Sequence, residues 1–378
     1  MQITICPDSF KGSLSAKEVS NIMAEACSRV MPNATFEIKP MADGGEGTVD
    51  ALVYSTNGEF IYKEVTNAIG KRIKTYYGTD GNRKTAYLEV ANIAGLTQLQ
   101  DHEKNPFNTT TYGLGEMIKH ALDDGFNELV IGLGGSATND GGLGLLQALG
   151  VKFFDDEGGQ VGKIGKDLLN IKRVDFTGLD QRISQTKIYI ASDVEQPLCG
   201  KNGASFVFGP QKGATVEQVK ILDHALERYA TLIEKQVGKQ LKDIPGAGAA
   251  GGLGFALMSI GGVITSGAKL VSDVMNLEKS IKNSQLVITG EGKSDEQTLF
   301  GKVPSYVATL ANKYEVPVIL ISGSVDGTKK LREKFTAVFS IVNRPMKLAE
   351  AIELSEQLLF NQVENVMKLI KTMKQSNA

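Results

Sequence analysis

Tryptophan is absent from this chain, and histidine and cysteine occur three times each. The cysteines, Cys6, Cys27 and Cys199, are odd in number and widely spaced, with no CxxC pair. That pattern excludes a disulfide framework and a zinc site, and it points to a reducing, cytoplasmic compartment. The histidines, His102, His120 and His224, form no HxxxH pair and no Ser-His-Asp spacing, which removes the usual hydrolase and zinc-enzyme inventories. His120 and His224 fall on expected helices beside polar neighbours and read as solvated faces. A basic excess is lacking too. The 41 Lys and Arg against 43 Asp and Glu leave a formal net charge of -2, so no nucleic-acid partner is expected. One uncharged stretch, residues 244–268, holds Pro245 and many glycines, with too few apolar side chains for a membrane span. The start, Met1 to Pro7, has neither a basic n-region nor a long apolar h-region and reads as a first β-strand.

What is present is bulk and glycine. The 378 residues are 42% hydrophobic, enough for a large core and more than one domain, and 42 are Gly. A first strand over 2–6 runs into a polar loop, Pro7 to Ser13. A helix follows, with Ser15 and Glu18 as a capping box and Val19, Ile22, Met23, Ala26 and Val30 on one face. Residues 60–90 alternate in places and predict antiparallel strands. A helix over 111–122 feeds a strand over 128–133. Further strands are expected at 187–191, 286–289 and 316–321, and amphipathic helices at 216–237 and 348–373. Alternation at both ends around a more mixed middle predicts an α/β protein. A Rossmann-like domain built from both chain ends (1–75 and 284–378) would carry an inserted second α/β domain (76–283).

Five loop segments repeat one composition of glycine, carboxylates and often a hydroxyl or lysine: 8–13, 43–48, 134–142, 193–202 and 290–295. Glycine frees amides to face phosphate oxygens, and a helix start adds its dipole. Carboxylates suit magnesium or the proton of a substrate hydroxyl. Lys11, Lys212 and Lys293 could neutralise charge developing in phosphoryl transfer. Five such loops together outweigh the reading of each as an ordinary turn. Nucleotide motifs are poor. Gly290-Glu291-Gly292-Lys293-Ser294 would be a P-loop tail only with glycine at 287, where Val287 stands. Gly132-Leu133-Gly134-Gly135-Ser136-Ala137 fits GxGxxA, with Asp155 about twenty residues on, which keeps an NAD(P)-dependent hydroxy-acid dehydrogenase open. A non-catalytic sugar-acid sensor is a second alternative.

The loops resemble the signatures of the bacterial type-1 glycerate kinase family. The segments that carry the resemblance are Pro7 to Ser13, Ala42 to Thr48, Gly134 to Gly142, Phe208 to Ala214, Pro245 to Gly252 and Thr289 to Gly292, in order from Ile3 to about Gly323. The resemblance implies ATP-dependent phosphorylation of D-glycerate, two α/β domains with a cleft between them, and a 2-phosphate product. Two departures are local. Glu195-Gln196 stands where Asn is expected before Pro197, and Lys293 stands where Arg is common, which loses a bidentate fork but keeps the charge.

With glycerate as substrate and ATP and Mg2+ as cofactors, residue chemistry suggests roles. Asp193 is the first choice of base and Asp295 the second, and Lys11 joins them as catalytic. Ser9, Lys11, Asp43, Gly44 and Gly45 are expected to contact substrate. Gly134, Gly135, Ser136, Asn139, Gly290, Gly292 and Lys293 are expected to hold phosphate, and Glu291 and Asp295 magnesium. The chain is expected to work as a monomer or homodimer.

Overall fold

The structure, a computed structural model, describes residues 1–326 and 329–376. It is a mixed α/β fold with parallel sheets. Two compact units divide it: residues 1–43 with 268–378, and residues 44–267. In chain order the strands begin with β1 (Gln2–Ile5) and β2 (Thr35–Ile38). The second unit contributes β3 (Phe60–Thr66), β4 (Arg72–Thr79), β5 (Thr85–Glu89), β6 (Glu128–Gly132), β7 (Lys152–Phe154), β8 (Arg173–Asp175), β9 (Lys187–Ala191) and β10 (Val263–Thr265). The chain then returns to the first unit with β11 (Leu286–Thr289), β12 (Lys293–Ser294), β13 (Val318–Ser322), β14 (Ser324–Val325) and β15 (Ala337–Ser340).

The first unit is built on a five-stranded sheet in the order β15-β13-β11-β1-β2, with every pairing parallel. Its central strands are continuous apolar runs, as a sheet covered on both faces demands. Helix Ala16–Val30 opens with the expected Ser15/Glu18 capping box, and its buried face (Val19, Met23, Ala26, Val30) joins Ile3, Ile5, Ile288 and Ile321 in one core. The C-terminal segment supplies Leu358, Leu359, Val363 and Met367 to that core. It is two helices, Leu348–Glu353 and Ser355–Ser376, where the stripe predicts one. The break at Leu354 lets the Ser13 hydroxyl donate to Ser355 Oγ at 2.7 Å, so a tertiary hydrogen bond accompanies the interruption.

The second unit holds a six-stranded sheet, β10-β9-β6-β5-β4-β3. β3, β4 and β5 pair antiparallel, as the alternation predicts, while β5, β6, β9 and β10 pair parallel. The expected boundary at 75/76 falls inside β4, whose hydrogen bonds to β3 and β5 hold residues 60–79 in this unit. The expected boundary at 283/284 also shifts, to 267/268. Helix Leu277–Lys282 packs on helix Val303–Lys313, with Lys313 2.6 Å from Glu278, so it goes with the first unit. The uncharged stretch 244–268 folds into a turn, a seven-residue buried helix (Leu253–Ser259) and β10. Among the described residues no helix is long and apolar enough to cross a membrane.

Candidate active site

In the first unit the chain leaves β1 toward β2 on one side and later fills β11, β13 and β15 on the other. The reversal lies between β1 and β11, and open parallel sheets bind ligands at the carboxyl ends of strands flanking such a point. The loops there are tied backbone to backbone. Asp8 N donates to the Gly290 carbonyl at 2.8 Å, and Ser324 N to that of Gly292 at 3.0 Å. Glycine is required at Gly290, where a Cβ would sit 1.9 Å from the Ile321 carbonyl oxygen. A cavity of about 430 Å³ opens over these loops. Three lysines (Lys11, Lys293, Lys302) and three carboxylates (Asp8, Asp43, Glu291) line it, together with Ser9 and Gly292. The structure therefore brings together Ser9, Lys11, Asp43, Glu291, Gly292 and Lys293 of the expected residues, and it adds Asp8 and Lys302.

Asp8 is the most perturbed carboxyl of this cluster. Burial pushes it up to about 7, the nearby charge of Asp43 adds to this, and Lys11 opposes it. A carboxyl in that range can exchange a proton at neutral pH. Lys11 Nζ lies 3.4 Å from Asp43 Oδ2, and Asp43, with Asp8, holds the lysine above its ordinary value. Its side chain is still 60% exposed, free to meet an anion. Glu291 is buried; its Oε1 accepts from the hydroxyls of Ser294 and Thr298, and its Oε2 lies 3.6 Å from Lys302 Nζ. Asp295 lies outside the cavity lining. It caps a 3-10 turn through the Gln297 amide at 2.9 Å and pairs with Lys293 at 3.2 Å. Among the described residues no three acidic, His or Cys side chains converge on a metal position.

The other expected residues lie in the second unit. Asp43 closes the first unit and Gly44 opens the second. Gly44 and Gly45 pack on the ends of β6 and β9: Gly134 N donates to the Gly44 carbonyl at 2.9 Å, and a Cβ on Gly134 would meet Gly45 Cα at 2.4 Å. The structure thus unites Gly44, Gly45 and Gly134 in one backbone junction. The start of helix Thr48–Thr56 faces the buried carboxylate of Glu89, which accepts from the amides of Gly47 and Val49. Ser136 accepts from buried Lys212 Nζ at 2.9 Å, and the same ammonium donates to the Thr138 carbonyl at 2.6 Å. Burial draws Lys212 down to about 7. Lys212, which its sequence suggests could face a phosphate, is therefore a brace of the 134–139 loop. Asn139 donates to Ser205 Oγ at 2.8 Å, and Asp193 Oδ1 accepts from the Gly267 amide at 3.1 Å. The Gly132–Ala137 run does not open into a helix: the next helix starts at Leu143, and Asp155 accepts the amides of Glu157 and Gly159 in its own turn. That geometry lacks the dinucleotide arrangement.

Residue chemistry at sequence level assigns no role to Asp8, although it stands in the first loop that the composition singles out. The available signal is position: an acid one residue past Pro7 at the end of a first strand. Lys302 and Glu89 lie in no glycine-rich segment and carry no sequence signal.

The model of the family described as the glycerate kinase family matches residues 3–371. A "Glycerate kinase" of Haemophilus influenzae is 44% identical over 373 residues, covering 98% of this chain and 99% of that one. A "Glycerate 2-kinase" of Escherichia coli K12 is 44% identical over 354 residues, covering 93% of each. A crystal structure described, provisionally, as glycerate kinase 2 from Salmonella typhimurium LT2 superimposes with a TM-score of 0.89 at 42% identity, covering 99% of both chains.

Proposed function

Since this chain belongs to the glycerate kinase family, phosphotransferases with an alcohol group as acceptor, we propose that it uses Mg-ATP to phosphorylate D-glycerate at the 2-hydroxyl. The observation that carries the reading is the cavity at the carboxyl ends of β1, β11 and β13, where three lysines and three carboxylates line one space. Phosphoryl transfer needs little else from a protein than positioning and charge. The name of the Escherichia coli relative supports the 2-position over the 3-position. The dehydrogenase and the sensor find no support in the relatives or in the loop geometry.

Bound Mg-ATP supplies the phosphoryl group and a divalent charge. The donors present fit such a group: magnesium keeps phosphate and water ligands and takes one or two carboxylates, which Glu291 can provide, joined by Asp8 only where Asp193 is the base. Asp295, with its carboxylate held as a cap and by Lys293, is the weaker candidate. Lys11, Lys293 and Lys302 neutralise phosphate or carboxylate oxygens, and the Gly290–Gly292 backbone permits their close approach. Ser9 and Asp43 orient substrate beside Lys11. The hydroxyl proton goes to a carboxylate, Asp193 on the sequence argument or Asp8 on its raised pKa. Gly44, Gly45, Gly134, Gly135, Ser136 and Asn139 retain their proposed substrate and phosphate contacts. We also read the first unit, with its five parallel strands, as the Rossmann-like domain and residues 44–267 as the inserted α/β domain.

A coupled assay with ATP, magnesium and D-glycerate tests the reading, and 31P NMR of the product separates the 2-phosphate from the 3-phosphate. Glycerate-dependent ATP consumption with the 2-phosphate as product is expected. Binding without turnover would favour the sensor instead.

A further inference from the structure

The lining of the cavity in the first unit comes from two sets of segments with different chemistry. One is the charged cluster. The other is apolar, walled by Phe10, Ile341, Val342, Leu348, Ala351 and Ile352. Ile341 and Val342 follow the last parallel strand, and Leu348, Ala351 and Ile352 come from the short helix Leu348–Glu353. Leu348 is 77% and Ile352 39% exposed, so the wall offers apolar surface that the protein itself leaves uncovered. A lone exposed apolar side chain needs no explanation, but two that line one concavity beside a phosphate-compatible cluster do. The volume, about 430 Å³, is that of a small-molecule site. The hydroxyls of Ser13 and Ser355 and the turn at Gly323–Ser324 also line it, giving a few hydrogen-bonding groups beside the apolar wall.

We propose that this apolar lining seats the purine base of the nucleotide, with Ile341 and Val342 on one side and Leu348, Ala351 and Ile352 on the other. The inference rests on the kinase reading and deepens it. A purine has two apolar faces and a polar edge, and it is tethered to a triphosphate. An apolar slot continuous with a cluster of three lysines matches both parts of that ligand, whereas glycerate, small and anionic, has nothing to place against five aliphatic side chains. The break at Leu354 then has a function: it frees Leu348–Glu353 from the long C-terminal helix to form a wall of the slot. Recognition of the base would lie wholly within the first unit, since every residue lining the cavity belongs to it.

Calorimetry on the full chain tests this with three probes, Mg-ADP, AMP and inorganic tripolyphosphate, each against wild type, Ala351→Phe and Leu348→Ser. Ala351→Phe fills the slot; Leu348→Ser changes an exposed position and should leave folding intact. The expected result is that Ala351→Phe weakens Mg-ADP and AMP about tenfold or more, and Leu348→Ser by a few fold, with tripolyphosphate binding and the glycerate KM unchanged. Equal ADP affinity in wild type and Leu348→Ser, with Ala351→Phe also unaffected or unfolded, would overturn the purine seat while leaving the kinase reading intact. Wild type that phosphorylates glycerate but binds ADP no better than tripolyphosphate would overturn it as well. Wild type that neither binds Mg-ADP nor phosphorylates glycerate would overturn the kinase reading, and the purine seat with it.

Discussion

Asp8 shows how far one residue's chemistry depends on its surroundings. With its carboxyl pushed up to about 7 by burial and by Asp43, it is half-charged near neutrality. A base must be ionised, so if Asp8 takes the hydroxyl proton, kcat/KM should rise with pH through about 7. Asp8→Asn should then lose about 10²–10⁴-fold in turnover. If Asp193 is the base, Asp193→Asn should show that loss while Asp8→Asn keeps the profile. Paired pH–rate profiles of the two variants separate the assignments. The same shift has a stability consequence. Below the usual 3.8 both folded and unfolded states hold the proton, and between there and about 7 only the folded state does. Stability is therefore lost as pH rises through that window, and Asp8→Asn should gain on wild type at pH 8 relative to pH 5 in urea titrations. Lys11→Ala belongs to the same scale. The exposed ion pair with Asp43 contributes little to folding, so the variant should stay folded. Its turnover should fall about 10²–10³-fold if Lys11 meets developing charge. Wild-type kinetics would make Lys11 a surface residue.

Elements were largely legible because their signals are local. The Ser15/Glu18 box and the apolar stripe are sufficient to start helix Ala16–Val30, and β6, β9 and β11 lie within a residue of expectation. The C-terminal stripe misleads. No proline or glycine marks Leu354, so the pattern predicts one helix, while Ser13 and Ser355 meet at the break. Glycine at the strand ends is legible as a type but not as a reason. Gly290 is needed because the chain leaves β11 close beside its parallel partner β13, and any Cβ would strike the Ile321 carbonyl. Gly290→Ala should therefore cost on the order of 3 kcal/mol, read as a lower urea midpoint, and lower activity with it. An unchanged midpoint would mean that the loop yields.

For the whole molecule, the prediction concerns the metal. Since three acidic or His groups do not converge among the described residues, magnesium should come with the nucleotide. EDTA should abolish turnover, added magnesium should restore it, and the thermal midpoint without nucleotide should barely move. Full turnover in EDTA would remove magnesium from the mechanism.

Hydrophobic period, caps and glycine clusters act within a few residues, so the sequence alone determined the α/β class and the order of the loops; loop composition pointed toward phosphoryl transfer but left a dehydrogenase open, and the resemblance of those loops to glycerate kinase signatures is what implied the kinase. The domain boundaries, the break at Leu354 and the grouping of the site were decided by tertiary structure. β4 belongs with the second unit because its hydrogen-bond partners do. Asp8, Lys11, Asp43, Glu291 and Lys302 share a cavity because β1 pairs with β11, about three-quarters of the chain length away, while Asp295 and Lys212, chemically as plausible, turn to a cap and to a buried carbonyl. Strand order sets those distances, and strand order depends on burial summed over the whole sheet, which no local window of sequence contains.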